Sequence, residues 1–100
     1  MAKLVVIYDQ PKDQEGFENY YFNVHIPLAE KLPNITGAEV HRVLQKQNTS
    51  DNQYLLAELH FENPAILAQS LASPEGREVT ADVANMMQFL NKPPVVLIVD

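Results

Sequence analysis

Short apolar segments alternate along the chain with polar turn segments, and the spacing of the apolar residues differs from one segment to the next. Runs rich in β-branched and aromatic residues predict strands at residues 3–8, 38–47, 53–61 and 95–99. Apolar residues three and four apart predict helices around residue 25, over 65–71 and from 73 to about 89. The order is βαββαβ, which is typical of an α+β, ferredoxin-like fold with an antiparallel four-stranded sheet and helices on one face.

Turn and capping residues separate these segments. Residues 9–16 predict a polar loop before the first helix, and residues 48–52 predict the turn of a hairpin. Asn63 and Ser73 each precede a proline, so both are expected to cap a helix. Pro27 lies inside the first helix and has no amide hydrogen, so we expect the hydrogen-bond ladder to be kinked or thinned in the middle of that helix.

The first and last strands are apolar on both faces, although helices are expected to cover only one face of the sheet. Something must cover the other face. A second copy of the chain is the simplest cover, because symmetric homodimers are the commonest soluble oligomers. We therefore predict a homodimer that associates sheet to sheet.

Length and composition limit the class of protein. One hundred residues, 46% of them hydrophobic, are expected to form a single domain over 1–100. A net charge of −6 with scattered Lys and Arg gives no basic stripe for nucleic acid, and no apolar run is long enough to span a membrane. The first residues have no signal-peptide layout, so we expect a cytoplasmic protein. Without cysteine, any chemistry must use His, carboxylate, Tyr or backbone groups, and we expect no cofactor.

His25 is the strongest candidate functional residue, because helical spacing places it in the middle of an apolar stripe. At about 100° per residue, Phe17, Tyr21 and Leu28 fall on the same side of the helix. A buried imidazole needs partners for its ring nitrogens, since an unpaired buried polar group costs roughly 1–3 kcal/mol. His25 is therefore predicted either to be tied down by a neighbour or to face a binding cavity.

Asp82 is the predicted partner of His25. It lies three residues after Val79 and four before Met86, so it shares the apolar face of the last helix, where a carboxylate must be hydrogen-bonded or paired. Because both helices pack on one sheet face, Asp82 could orient one ring nitrogen and leave the other as a general base or acid. Two alternatives stay open: a purely structural His–Asp bond between the helices, and pairing of Asp82 with Arg77.

Aromatic and thioether side chains near His25 are candidates for ligand contacts. Tyr21 could offer its hydroxyl, Phe17 and Phe22 could supply flat apolar walls, and Met86 could supply adaptable packing. Core filling is the alternative for these side chains. Together they predict an apolar pocket with one or two polar groups, which is the usual form of a small-molecule site.

A second candidate site lies on the third strand. Glu58 and His60 alternate with Leu59 and are therefore expected to face away from the helices, where they could form a charged pair inside the predicted interface. His41, on the second strand, is expected to be a surface residue. Three histidines on different elements make a metal site possible but leave it unsupported, so we predict none.

Two motifs give the chain a resemblance to the EthD family, named from ethyl tert-butyl ether degradation. They are His-x-Pro-Leu at residues 25–28, preceded by an aromatic pair, and Ser-Pro-Glu-Gly at residues 73–76 with Asp82 six residues later. The resemblance spans nearly the whole chain and implies a dimeric α/β barrel, in which two ferredoxin-like subunits join through their sheets. It also implies that His25 is the pocket histidine and Asp82 the acidic residue. The aromatic pair is Tyr-Tyr at 20–21, where the family often has a tryptophan, so we expect a different pocket polarity.

The leading hypothesis is a small dimeric protein that binds a hydrophobic, cyclic or aromatic carbonyl metabolite, with His25 as the proton-transfer group. The wider superfamily that the resemblance implies includes cofactor-free oxygenases of aromatic polyketides, muconolactone isomerases and haem-handling enzymes. Isomerisation, dehydration and cofactor-independent oxidation therefore all stay open. The competing hypothesis is a non-catalytic ligand-binding or accessory protein, and a haem-handling role is the third.

Overall fold

The computed structural model describes residues 1–100 and has the predicted βαββαβ order. Its strands are β1 (Ala2–Asp9), β2 (Gly37–Arg42), β3 (Gln53–Phe61) and β4 (Val95–Val99). Its helices are α1 (Gln14–Tyr20), which continues through a π-helical turn (Tyr21–His25) into α2 (Ile26–Ala29), then α3 (Pro64–Ala72), α4 (Pro74–Met86) and a 3₁₀ turn (Met87–Phe89). The prediction of an α+β, ferredoxin-like fold is confirmed.

One antiparallel sheet joins the strands in the order β2-β3-β1-β4. The central pair, β1 and β3, is in register from Ala2 opposite Phe61 to Tyr8 opposite Leu55. Alternation along β3 sets the two faces of the sheet, because Leu55, Ala57, Leu59 and Phe61 are buried against the helices while the residues between them are partly exposed. The expected orientation of β3 is thus confirmed.

Helix caps occur where the sequence predicts them. The Asn63 side chain accepts a hydrogen bond from the amide of Ile66 at 2.9 Å, and the Ser73 hydroxyl accepts one from the amide of Gly76 at 3.0 Å. A further cap changes one predicted boundary: the Asp13 carboxylate accepts from the amide of Gly16 at 3.0 Å. Helix α1 therefore begins at residue 14, and Gly16 lies in its first turn rather than in the preceding loop.

β2 is shorter than predicted. It ends at Arg42, whereas the sequence predicted a strand to residue 47. Leu44 is 95% exposed, so beyond Arg42 the chain has no helix face to pack against and leaves the sheet. The segment between β2 and β3 then turns at Asn48, whose φ of 60° lies in the left-handed region that asparagine tolerates.

The irregularity expected at Pro27 takes the form of the π-helical turn. The amide of Ile26 bonds the carbonyl of Tyr21, five residues back. Because a π-turn advances fewer degrees per residue than an α-turn, the residue four before His25 comes nearly into line with it. The rings of Tyr21 and His25 accordingly stack, with centroids 5.7 Å apart and planes 22° apart.

The other face of the sheet carries no helix. β4 is the barest strand, with residues between 39% and 60% exposed along its whole length. The homodimer remains a prediction that this uncovered apolar surface motivates. None of the helices is long and apolar enough to cross a membrane.

Candidate functional site

His25 and Asp82 meet as predicted. His25, at the end of the π-helical turn, lies with its Nδ1 atom 2.9 Å from the Oδ2 atom of Asp82 on α4. The two residues are only 7% and 6% exposed. Arg77, the alternative partner of Asp82, is exposed and forms no ion pair with it.

The remaining oxygen of Asp82 is also fully engaged. Its Oδ1 atom accepts a hydrogen bond from the Tyr20 hydroxyl at 2.5 Å and another from the Asn85 amide group at 2.9 Å. Burial by itself raises the pKa of Asp82, but these bonds and the His25 contact outweigh it and hold that pKa below its ordinary value. Asp82 is therefore an anionic acceptor, and its bond raises the pKa of Tyr20.

This arrangement fixes the tautomer of a neutral His25 ring. An ionised carboxylate can only accept hydrogen bonds, so the Nδ1 atom facing Asp82 must carry the proton. In the neutral ring, Nε2 then has a free lone pair. Nε2 forms no hydrogen bond within the protein, and His25 lines a cavity. A ring with one nitrogen anchored to a carboxylate and the other open is suited to accept and return a proton.

The cavity has a volume of about 280 Å³ and lies between the helices and the sheet. This volume is just below the roughly 300–1,000 Å³ range of ligand pockets. Its walls are almost entirely apolar, and its lining includes no Asp, Glu, Lys or Arg. His25 is buried, whereas Thr80 on α4 and Val96 on β4 are exposed, so the cavity opens between that helix and the edge of the sheet.

Two buried tyrosines add polar groups to the lining of the cavity. Tyr21 lines the cavity as predicted, and Tyr8 on β1 joins it there. Tyr8 is a site residue that sequence analysis missed, because a tyrosine in an apolar strand resembles ordinary core filling. Burial raises the pKa of both phenols well above the ordinary value, so both keep their protons at neutral pH.

The other predicted ligand contacts do not line this cavity. Phe17 and Met86 are fully buried with Tyr8 in a core cluster beside it. Phe22 is 37% exposed on the surface, where Arg42 lies over its ring. The π-helical turn explains the outward position of Phe22, because it rotates the residue three before His25 away from the apolar stripe.

The second candidate site is a network of charges on the helix-free face of the sheet. Glu58 and His60 form the predicted pair, with Oε1 and Nε2 3.3 Å apart, and Lys3 lies 3.4 Å from the same glutamate. Glu39, opposite Glu58 across the sheet, brings a third potential metal ligand within 4.8 Å of the other two. Side-chain bonds from His60 and Lys3 outweigh burial and lower the pKa of Glu58. His41 is exposed at this cluster, as predicted.

The fold, the buried His–Asp pair and the apolar cavity together define a small α+β domain with one candidate functional site. Comparison with known families then identifies it. Residues 9–89 match the EthD domain, so the chain belongs to the EthD family, as the two sequence motifs indicated.

Individual relatives support this assignment. The chain is 33% identical over 85 residues to an uncharacterized 11.0 kDa protein from the thcB-thcC intergenic region of Rhodococcus erythropolis, covering 85% of this chain and 82% of that one. The crystal structure of an EthD family protein from Bacillus halodurans has a TM-score of 0.87 and 30% identity, covering 100% of this chain and 97% of that chain. A dimeric protein of unknown function and ferredoxin-like fold from Bacteroides fragilis has a TM-score of 0.63 at 14% identity, with coverage of 99% and 94%, and shares the fold.

Proposed function

We propose that this EthD family protein binds a hydrophobic, cyclic or aromatic carbonyl metabolite in the cavity and that His25 transfers a proton to and from it. The observation that carries the proposal is the arrangement around the imidazole. Nδ1 is held 2.9 Å from Asp82, and Nε2 has no protein partner and belongs to a residue lining the cavity. A purely structural histidine would be expected to have both nitrogens bonded inside the protein.

The cavity walls favour a neutral ligand. Aliphatic side chains, including Val6, Leu59 and Val83, provide most of the lining, and no Lys or Arg is present to neutralise a ligand carboxylate. An apolar molecule with one polar function would bury its hydrocarbon part here and place the polar atom beside His25. Isomerisation, dehydration and cofactor-independent oxidation all begin with such a proton transfer.

We also propose that the protein acts as a homodimer joined through the helix-free sheet faces. On that face Val95, Leu97 and Val99 are 44%, 45% and 39% exposed, and they continue the apolar surface of β1 through Val5 and Ile7. The Bacteroides fragilis protein with the same fold is itself described as dimeric. A molecular mass of one chain by light scattering at micromolar concentration would contradict this proposal.

The proton-transfer role can be tested with 1-tetralone, a bicyclic aromatic ketone, as the probe. The protein is expected to bind 1-tetralone and to accelerate exchange of its α-protons for deuterium in D₂O, which proton NMR measures directly. His25→Gln should retain binding and lose the acceleration, because the amide cannot act as a base of suitable pKa. Arg77→Gln is the control, since it removes an exposed ionisable side chain that lies outside the cavity and off the sheet.

The outcomes separate the proposed function from its competitor. Equal exchange rates with the wild type and His25→Gln would remove His25 from the mechanism. Binding of 1-tetralone without any acceleration by the wild type would favour the non-catalytic ligand-binding protein. Absence of binding would contradict the proposal for this class of ligand.

A further inference from the structure

Two tyrosine hydroxyls beside His25 have no hydrogen-bond partner in the protein. Tyr8 is 2% exposed and Tyr21 is 1% exposed, and both line the cavity. The Tyr54 hydroxyl is also unpartnered and fully buried, but Tyr54 does not line the cavity, whereas Tyr8 and Tyr21 do. An unpaired buried hydroxyl costs about 1–3 kcal/mol, so two of them on neighbouring rings that line one apolar cavity indicate a polar atom of a ligand.

We propose that the Tyr8 and Tyr21 hydroxyls form a donor pair that binds the carbonyl oxygen of the ligand. This inference rests on the proposed function, because it assigns an oxygen-binding subsite within the same cavity. It narrows the ligand class to neutral ketones whose remaining surface is apolar.

The geometry places Tyr21 next to the base and Tyr8 next to Tyr21. The rings of Tyr8 and Tyr21 meet edge to face with centroids 5.3 Å apart, and Tyr21 stacks on His25 at 5.7 Å. One small ligand can therefore contact all three side chains. The three come from β1 and from two ends of one π-helical turn, so the backbone fixes their relative positions.

Other polar functions fit the subsite less well. A carboxylate would lack a cationic partner, because no Lys or Arg lines the cavity. An ammonium group would need an anion, but both oxygens of Asp82 are already engaged by protein donors. A ketone oxygen accepts two hydrogen bonds without bringing a charge, and two protonated phenols supply them.

The donor pair also gives the proton transfer a balanced course. His25 Nε2 takes the proton from the carbon next to the carbonyl, and the C–H electron pair forms the C=C bond of an enolate. The C=O π pair moves onto the oxygen, where the two phenols stabilise the negative charge. Return of the proton from Nε2 to carbon restores the ketone, so no further reactant is needed.

A matched pair of ligands tests the subsite: 1-tetralone and tetralin have the same bicyclic skeleton, but tetralin lacks the carbonyl. Calorimetric titration of the full-length protein should show tighter binding of 1-tetralone. Tyr8→Phe and Tyr21→Phe should each weaken 1-tetralone binding by about threefold to tenfold, the range of one hydrogen bond, and leave tetralin binding unchanged. Tyr54→Phe is the control, because Tyr54 does not line the cavity.

A second measurement follows the ligand carbonyl itself by NMR. The carbon-13 resonance of carbonyl-labelled 1-tetralone should move on binding in the direction that hydrogen-bond donation produces, and each phenylalanine variant should reduce that movement. Equal wild-type affinities for 1-tetralone and tetralin would overturn the donor pair, although the cavity would still be shown to bind apolar molecules. Failure of both compounds to bind would overturn the proposed function and the subsite with it. A third outcome would refute the donor pair but keep His25 as the base. In it, only His25→Gln loses the exchange activity, and both tyrosine variants still bind 1-tetralone more tightly than tetralin by the wild-type factor.

Discussion

Asp82→Asn tests whether the carboxylate sets the chemical state of His25. The asparagine oxygen can keep the hydrogen bonds from Tyr20 and Asn85, which leaves its NH₂ group facing Nδ1. An NH₂ group only donates, so the neutral ring must now accept at Nδ1 and carry its proton on Nε2. The substitution therefore inverts the tautomer, and the nitrogen at the cavity loses its lone pair.

The magnitude follows from the three hydrogen bonds. Bonds to a charged group contribute about 1.5–3 kcal/mol each, against about 0.5–1.5 kcal/mol for neutral ones. Losing that difference three times amounts to about 3 kcal/mol, and the smaller desolvation cost of a neutral amide offsets part of it. We expect the free energy of unfolding to fall by about 2 kcal/mol, which corresponds to a decrease in Tm of roughly 10 °C for a domain of about this size.

Two assays check the reasoning on Asp82→Asn. Nitrogen-15 NMR of the ring reports which nitrogen of His25 is protonated, and urea unfolding at one fixed protein concentration gives the stability. The 1-tetralone exchange rate should fall about as far as in His25→Gln, although the imidazole is still present. An unchanged tautomer, or full exchange activity in a folded variant, would refute the assigned role of Asp82.

Other substitutions probe separate parts of the structure. The pKa of Asp82 is lower in the folded than in the unfolded state, so its contribution to stability is present above the unfolded pKa and is lost as pH falls through the folded pKa. The free energy of unfolding, measured by urea at decreasing pH, should show this loss in the wild type and not in Asp82→Asn. Tyr20→Phe removes the 2.5 Å bond to that carboxylate and should cost about 1–3 kcal/mol in urea unfolding while the His25 tautomer is kept. Gly76→Ala should cost about 1–3 kcal/mol, because its methyl group would collide with backbone carbonyls of α3, whereas Gly37→Ala meets only a side chain and should cost less by the same assay. Leu97→Glu places a charge on the bare sheet face and should convert a dimer to a monomer by light scattering without unfolding it.

Periodicity predicted the parts of the site that depend on regular elements. His25 and Asp82 were paired because helical spacing puts each on an apolar face, where an ionisable group needs a partner. The same reasoning located the caps at Asn63 and Ser73, since a capping residue before a proline is a local signal. These predictions require no knowledge of how the elements are arranged, beyond the fact that both helices share one sheet face.

Features that depend on three-dimensional packing were not predictable in this way. Tyr8 belongs to a strand that is apolar on both faces, so only the packing of the helices on the sheet shows that it lines the cavity. The prediction for Phe22 assumed 100° per residue throughout the first helix. The π-helical turn departs from that value, and Phe22 therefore lies at the surface and not at the site. Phe17 and Met86 lie on the sides of their helices that face the sheet, as predicted, but their side chains are fully buried in the core cluster and leave no surface for a ligand.

The Ser-Pro-Glu-Gly motif positions Asp82 by fixing where α4 begins. Ser73 caps α4, Pro74 begins it, and Gly76 lets its first turn approach the carbonyls of Ser70 and Leu71 more closely than any side chain would permit. This contact fixes where α4 starts against α3. Asp82 follows Gly76 by six residues, which places it about 9 Å further along the axis of α4 and about 120° around it. Because the helix is rigid over this distance, the position of its first turn also sets the position of the carboxylate. A displaced start of α4 would carry Asp82 away from Nδ1, which makes the glycine part of the site although it contacts neither His25 nor the cavity.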